Sequence, residues 1–144
     1  MMLTEELHFL LLKAFNHSNN LITKKIYDLN LLPGQPKILE YLLEHNGAMA
    51  KDISRDHVLD KSTITSLLSR MEKQDLIVRT NQTADKRAYS IYLTSKGKYM
   101  AQEVKQICTN VDNKAFKNIS PQNKQQFLQT LTSIIQNLEE EDLQ

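Results

Sequence analysis

Leu59-Asp60-Lys61-Ser62-Thr63-Ile64-Thr65-Ser66-Leu67-Leu68-Ser69-Arg70-Met71-Glu72-Lys73-Gln74 is the stretch on which the reading of the fold turns. Ile64, Leu67, Leu68 and Met71 recur at helical spacing, and Asp60 stands where an N-cap carboxylate accepts an amide of the first turn, so a helix is predicted over 61–74. At about 100° per residue the apolar set gathers on one side. Ser62, Ser66, Ser69 and Lys73 point the opposite way, with Thr63, Thr65 and Arg70 at the flanks. Small hydroxyl side chains at the amino end let a helix approach the floor of a major groove, and the helix N-terminus itself favours phosphate. Arg70 and Lys73 are better suited to charge. A solvated face would look much the same in isolation, so the neighbours of this helix decide between the two.

Immediately upstream, residues 51–58 read as a helix barely two turns long with Ile53 facing inward. Two helices in tandem, the second longer and rich in hydroxyls, form a helix-turn-helix pattern. Downstream the period changes from 3.6 to 2. Residues 76–80 read as one strand, and Tyr89, Ile91 and Leu93 alternate with Ser90 and Tyr92 in another, around the polar connection 81–87. The result is a two-stranded hairpin with a basic tip. It sets Arg79, Lys86 and Arg87 beside the helix, where arginine can enter a narrow minor groove whose negative potential attracts it.

Longer helices flank this core. Over 4–26, Leu7, Leu10, Leu11, Ala14, Phe15, Leu21 and Ile22 recur at helical spacing with Thr4 as the N-cap candidate. The turn Leu32-Pro33-Gly34-Gln35-Pro36 leads to a helix striped by Ile38, Leu39, Leu42 and Leu43. After Leu93, Thr94 caps a helix carrying Met100, Val104, Ile107, Cys108 and Val111, and Ser120-Pro121 opens a last one carrying Phe127, Leu128, Leu131, Ile134, Ile135 and Leu138. The first and last two of these helices lie outside a winged domain that already has its own small core. Their apolar stripes need a partner, and an obligate homodimer through the terminal helices is predicted.

Composition agrees. The 144 residues are 40% apolar and 24% charged with three Gly and three Pro, a scarcity of breakers that favours long helices. Apolar runs are no longer than Phe9-Leu10-Leu11-Leu12 and no leader pattern opens the chain, so no membrane partner and a cytoplasmic address are expected. Net charge is only +1, but residues 51–98 hold ten Lys or Arg against six Asp or Glu, net +4, leaving the remainder at −3. The positive excess sits in the helix-turn-helix and hairpin. No GxSxG, P-loop or glycine-rich cradle is present, and His8, His17, His45 and His57 are scattered without metal-ligand spacing. No enzyme, no cofactor and no metal site are expected. Cys108 is the single cysteine, and its neighbours Val104, Ile107 and Val111 make it a core thiol.

The run from Leu59 to Thr65, then Leu67-Leu68, Arg70-Met71-Glu72-Lys73 and Leu76-Ile77, then Asp85-Lys86-Arg87 and Leu93-Thr94 with Lys96-Gly97, resembles the core of the multiple-antibiotic-resistance regulator (MarR) family. The D-x-R of the wing followed by L-T is that family's most specific signature, and here it is complete. Helix order extends the resemblance over nearly all of the chain. It implies a mainly α protein with a small β-wing, in which a winged helix-turn-helix over about 33–98 joins dimerisation helices over about 4–28 and 95–141. It further implies a dimeric transcriptional repressor on palindromic double-stranded DNA, released by a small aromatic or amphipathic effector held between the dimerisation helices and the winged domain. Lys61, Ser62, Thr63, Thr65 and Arg70 match recognition-helix positions, Arg87 matches the wing residue that enters the minor groove, and Asp85 helps to fix it. Ser66 departs from the family in lacking a longer basic side chain, and Val58 replaces a common glycine, so the turn there cannot rely on glycine's freedom at positive φ. The DNA-facing set is therefore Lys61, Ser62, Thr63, Thr65, Ser66, Arg70, Lys73, Arg79, Asp85, Lys86 and Arg87. Two alternatives stay open: a winged-helix adapter that binds protein through the same surface, and a thiol redox-sensing regulator acting through Cys108.

Overall fold

The computed structural model describes residues 2–81 and 88–140. Among them, helices α1 (Leu7–Ile26) and α2 (Gln35–Glu44) precede a two-residue strand β1 (Ala48–Met49), and the paired helices α3 (Ala50–His57) and α4 (Lys61–Lys73) follow. Strands β2 (Ile77–Thr80) and β3 (Ser90–Leu93) then lead to the long helices α5 (Ser95–Ala115) and α6 (Pro121–Glu139). The chain divides into two compact units, Met1–Thr109 and Asn110–Gln144.

The core of the first unit is the one the helical and strand periods point to. Ile38, Leu39 and Leu42 of α2, Ile53 of α3, and Ile64, Leu68 and Met71 of α4 close on Leu76, Ile77 and Ile91 of the sheet and Ala101 of α5, all buried. Burying a Leu, Ile or Met side chain is worth roughly 1.5–3 kcal/mol, so this cluster holds the helix-turn-helix and the wing as one body.

Three local features differ from the sequence reading. Thr4 is not the cap of α1: a 3-10 turn over Leu3–Glu5 satisfies the amides of Glu5 and Glu6 with the carbonyls of Met2 and Leu3, and α1 starts from Glu6 with no side-chain cap. Among the described residues the sheet has three strands, in the order β1-β3-β2, and not two. β1 pairs antiparallel with the other edge of β3, Ala48 opposite Ile91 and Met49 opposite Ser90. Asn46 Oδ1 accepts from the Leu93 amide at 2.9 Å and extends that edge. A two-residue strand has too few positions for an alternation to register. Finally, Val58 caps α3 with φ 54° and ψ 46°, in the left-handed region, although it is β-branched. Its amide donates to Arg55 O and the next amide to Ser54 O, so the turn closes as a glycine would close it.

The other predicted caps hold. Thr94 Oγ1 accepts from the Gly97 amide at 2.9 Å to open α5, and Ser120 Oγ accepts from the Asn123 amide at 3.1 Å to open α6. Gly97 has a steric reason: a Cβ there would lie 1.9 Å from the Leu76 carbonyl oxygen, so α5 begins directly against the backbone that follows α4. In the second unit, Phe116 and Phe127 meet edge to face at 6.2 Å.

Both terminal helices leave apolar side chains bare. Leu7, Leu10, Leu11, Leu12 and Phe15 on α1 are 37–58% exposed, and Phe127, Leu128, Ile135 and Leu138 on α6 are 43–69% exposed. No helix among the described residues is long and apolar enough to cross a membrane.

Candidate nucleic-acid interface

α4 is built from its cap. Asp60, in extended geometry at φ −72° and ψ 160°, accepts from the Thr63 amide at 2.7 Å and from the Ser62 hydroxyl at 3.1 Å. Hydrogen bonding from Thr63, side chain and backbone, and then from Ser62, holds the Asp60 carboxyl below its ordinary range, so the cap stays ionised. It also occupies the anion position that the helix N-terminus offers. Lys61 is the first exposed cation beside the cap.

The apolar side of the helix is sunk in the core through Ile64, Leu68 and Met71, and this fixes the rotation of the other side. Lys61, Ser62, Thr63, Thr65, Ser66, Arg70 and Lys73 are all exposed. Thr65 spends its proton on the Lys61 carbonyl at 2.8 Å and is left to offer its methyl group and oxygen lone pairs. The arrangement is a rigid helix presenting short hydroxyl side chains at one end and cations toward the other, the chemistry that base edges and phosphates in a major groove require.

Arg79 lies elsewhere than on a free basic edge. Its Nε and Nη2 donate to Glu72 at 3.3 Å and its Nη2 also donates to Ser69 Oγ at 3.3 Å, with the side chain 25% exposed. It ties strand β2 to the outer half of α4, and Ser69 is half-buried beneath it. Asp85, Lys86 and Arg87 of the hairpin tip lie outside the described residues.

Two features of this unit escaped the sequence reading. A cluster beside the helix-turn-helix joins Tyr41, whose hydroxyl donates to Asp56 Oδ2, with Arg55, whose Nε donates to Asp56 Oδ1 at 3.0 Å. Arg55, and then Tyr41, draw the Asp56 carboxyl down to about 2, while the hydrogen bond to Asp56 pushes the Tyr41 hydroxyl up to about 12. The Tyr41 ring sits 4.4 Å from that of His45 and 5.1 Å from that of His57. His57 is further held through Nδ1 to the Ile53 carbonyl at 2.8 Å. Two of the four histidines are thus packing residues, and among the described residues no group of three His, Cys, Asp or Glu side chains could hold a metal ion.

The second feature is a cavity of about 600 Å³. Asn19, Ile22, Thr23 and Ile26 of α1, Tyr27, Leu31, Leu32, Pro33 and Gly34 of the connection, Pro36, Lys37 and Glu40 of α2, and Val104 and Cys108 of α5 line it. Its volume and its mostly apolar walls with a few polar groups are those of small-molecule sites. Cys108 is half-buried in this wall. Its signal was the apolar helical spacing around it; the cavity itself forms where the stretch 19–40 meets Val104 and Cys108 of α5, more than 60 residues away, and that meeting leaves no local pattern.

Comparison with known proteins places this geometry. A sequence profile of the MarR family matches residues 31–89. The HTH-type transcriptional regulator MgrA of Staphylococcus aureus is 32% identical over 103 residues, which make up 71% of this chain and 70% of that protein. Among solved structures, a MarR family transcriptional regulator from Listeria monocytogenes complexed with 26mer DNA superimposes with a TM-score of 0.89 at 16% identity, covering 93% of this chain and 89% of that one. CouR from Rhodococcus jostii RHA1 bound to p-coumaroyl-CoA gives a TM-score of 0.82 at 23% identity, covering 93% of this chain and 94% of that one.

Proposed function

Since the chain belongs to the MarR family and is a DNA-binding transcriptional regulator, not an enzyme, we propose that it acts as a homodimeric repressor of a palindromic operator and is released by a small-molecule effector. One observation carries the reading: α4 is anchored by its buried face and its Asp60 cap, and exposes Lys61, Ser62, Thr63, Thr65 and Ser66 together at its amino end. That face enters the major groove, Arg70 and Lys73 meet the phosphates, and the basic tip with Lys86 and Arg87 reaches the adjoining minor groove. Arg79 acts at one remove, by holding β2 to α4 through Glu72 and Ser69.

The bare apolar residues of α1 and α6 support the dimer. Their burial between two copies makes an interface of the obligate kind, roughly 2,000 Å² or more, and sets two recognition helices about one DNA turn apart, near 34 Å. The cavity supports the effector. Its apolar walls, with Lys37 among the lining residues, suit an amphipathic molecule, aromatic or aliphatic, that carries a negative group.

The test is selection of bound sequences from random DNA by the full chain. An enriched palindrome with half-sites one helical turn apart is expected, and a pool without enrichment at moderate salt removes the sequence-specific reading.

A further inference from the structure

Among the described residues Gln35 is the one polar side chain that is buried, with none of its surface exposed. Both ends of its carboxamide are used. Oε1 accepts from the backbone amide of Leu32 at 3.0 Å, a donor that cannot rotate away, so Nε2 is turned to the opposite side. There it donates to Gln74 Oε1 at 2.6 Å. An apolar pair of the same shape would keep the packing but leave the Leu32 amide without its acceptor. What the carboxamides add is direction.

The bond runs from the cavity wall to the end of the recognition helix. On one side, Leu32, Pro33, Gly34 and Pro36 surround Gln35 and are walls of the cavity. On the other, Gln74 is the C-cap of the recognition helix α4. The same helix end is gripped from α5, since Lys96 Nζ donates to the Gln74 carbonyl at 3.0 Å and Thr94 Oγ1 to the Asp75 carbonyl at 2.6 Å. α5 in turn supplies Val104 and Cys108 to the cavity wall. The carboxy end of α4 is therefore held between the starts of the two helices, α2 and α5, that a molecule in the cavity would press.

We propose that the Gln35–Gln74 hydrogen bond is the link that transmits occupation of the cavity to the recognition helix. A ligand displacing the wall at 32–36 carries Gln35 with it, and the bond either drags the end of α4 or breaks and frees it. In both cases the exposed face of α4 loses the orientation that the core and cap impose. This deepens the function proposed above and rests on the cavity being the effector site. Gln35 and Gln74 are positioning residues and touch neither ligand nor DNA.

The test uses the full chain, the selected operator duplex, and 8-anilinonaphthalene-1-sulfonate, an amphipathic aryl sulfonate whose own fluorescence reports its binding. Operator affinity is read with and without the saturating probe for wild type, Gln74→Leu, Gln35→Met and Gln74→Glu, each checked for native circular dichroism. Wild type is expected to lose operator affinity about tenfold, inside the usual range of coupling between two sites. Gln74→Leu and Gln35→Met are expected to bind the probe within about twofold of wild type yet lose less than about threefold in operator affinity, because the link is cut. Gln74→Glu keeps an acceptor for Gln35 Nε2 and should respond as wild type. Release of DNA from Gln74→Leu and Gln35→Met as strong as from wild type overturns the link and leaves the cavity reading standing. Probe binding unchanged by Val104→Trp, which fills the cavity, or a wild-type operator affinity indifferent to bound probe, overturns the cavity reading and the link with it. If one of the two cutting variants fails to fold, the other decides.

Discussion

Val58→Gly should make this protein more stable. Val58 holds φ 54° and ψ 46° between α3 and α4, a conformation in which an L residue's Cβ crowds the following carbonyl at a cost of about 1–2 kcal/mol. Its side chain is 87% exposed, so its removal forfeits almost no buried apolar area. The backbone bonds of the turn, Val58 N to Arg55 O at 3.2 Å and Leu59 N to Ser54 O at 3.1 Å, survive the substitution. Against the relief stands glycine's greater freedom in the unfolded chain, about 0.4–1 kcal/mol. The balance is a gain of roughly 0.5–1 kcal/mol, which for a chain of this size raises Tm by about 2–4 °C. Thermal unfolding followed by circular dichroism at fixed protein concentration reads this directly, with Val58→Ala as control. Alanine keeps a Cβ and should give no comparable rise. A Val58→Gly protein that melts at or below the wild-type temperature, or an alanine variant that gains as much, refutes the assignment of strain to this turn.

Arg87→Ala is expected to weaken operator binding by about 1–3 kcal/mol with unchanged circular dichroism; if Arg87 meets phosphate only, all sequences should weaken alike and the salt slope should fall by about one. Asp60→Ala removes the cap from Thr63 and should cost about 1 kcal/mol of stability, with a parallel loss of operator affinity because Lys61, Ser62 and Thr63 lie on the turn that frays; titration of labelled operator with both proteins checks it. The pH dependence follows from Asp56, whose carboxyl is lowered from its ordinary 3.8 to about 2 by Arg55 and Tyr41. A lowered carboxyl stabilises the fold above its unfolded value and loses that contribution as pH falls through the folded one, so the stability difference between wild type and Asp56→Ala should be constant above pH 4 and close between about pH 4 and 2. A difference that persists unchanged at pH 2 in urea titrations contradicts the network.

What could be read from the sequence was whatever one segment carries by itself. Asp60 with Ile64, Leu67, Leu68 and Met71 contains the cap, the period and the buried face of α4 within a dozen residues, and the structure seats that helix accordingly. Thr94 and Ser120 announce their helices in the same local way. The apolar stripes of α1 and α6 were equally legible and remain bare in the single chain. Features made by meeting segments left no trace. Gln35 follows a Pro-Gly turn, where glutamine reads as a surface residue, and its Nε2 finds a partner only through the approach of Gln74, 39 positions away. β1 exists because β3 has a second edge to offer it. Nor does the sequence show that Glu72 and Ser69 stand within reach of Arg79. Val58 shows the limit of residue preference: the hydrogen bonds of the turn outweigh a local penalty that the side chain alone would forbid.

In the proposed mechanism two copies of this chain, joined through their terminal helices, read one palindromic site. Sedimentation velocity of the wild-type chain and of Ile135→Glu, each at micromolar concentration with and without a labelled duplex of the selected operator, decides this. Ile135 is half-exposed on α6, and a carboxylate there would have to be desolvated in an apolar seam. A wild-type dimer that binds one duplex as two chains is expected, together with an Ile135→Glu chain that sediments as a monomer and loses operator binding although no DNA-facing residue has changed. A wild-type monomer at that concentration, or a monomeric Ile135→Glu chain with full operator affinity, contradicts it.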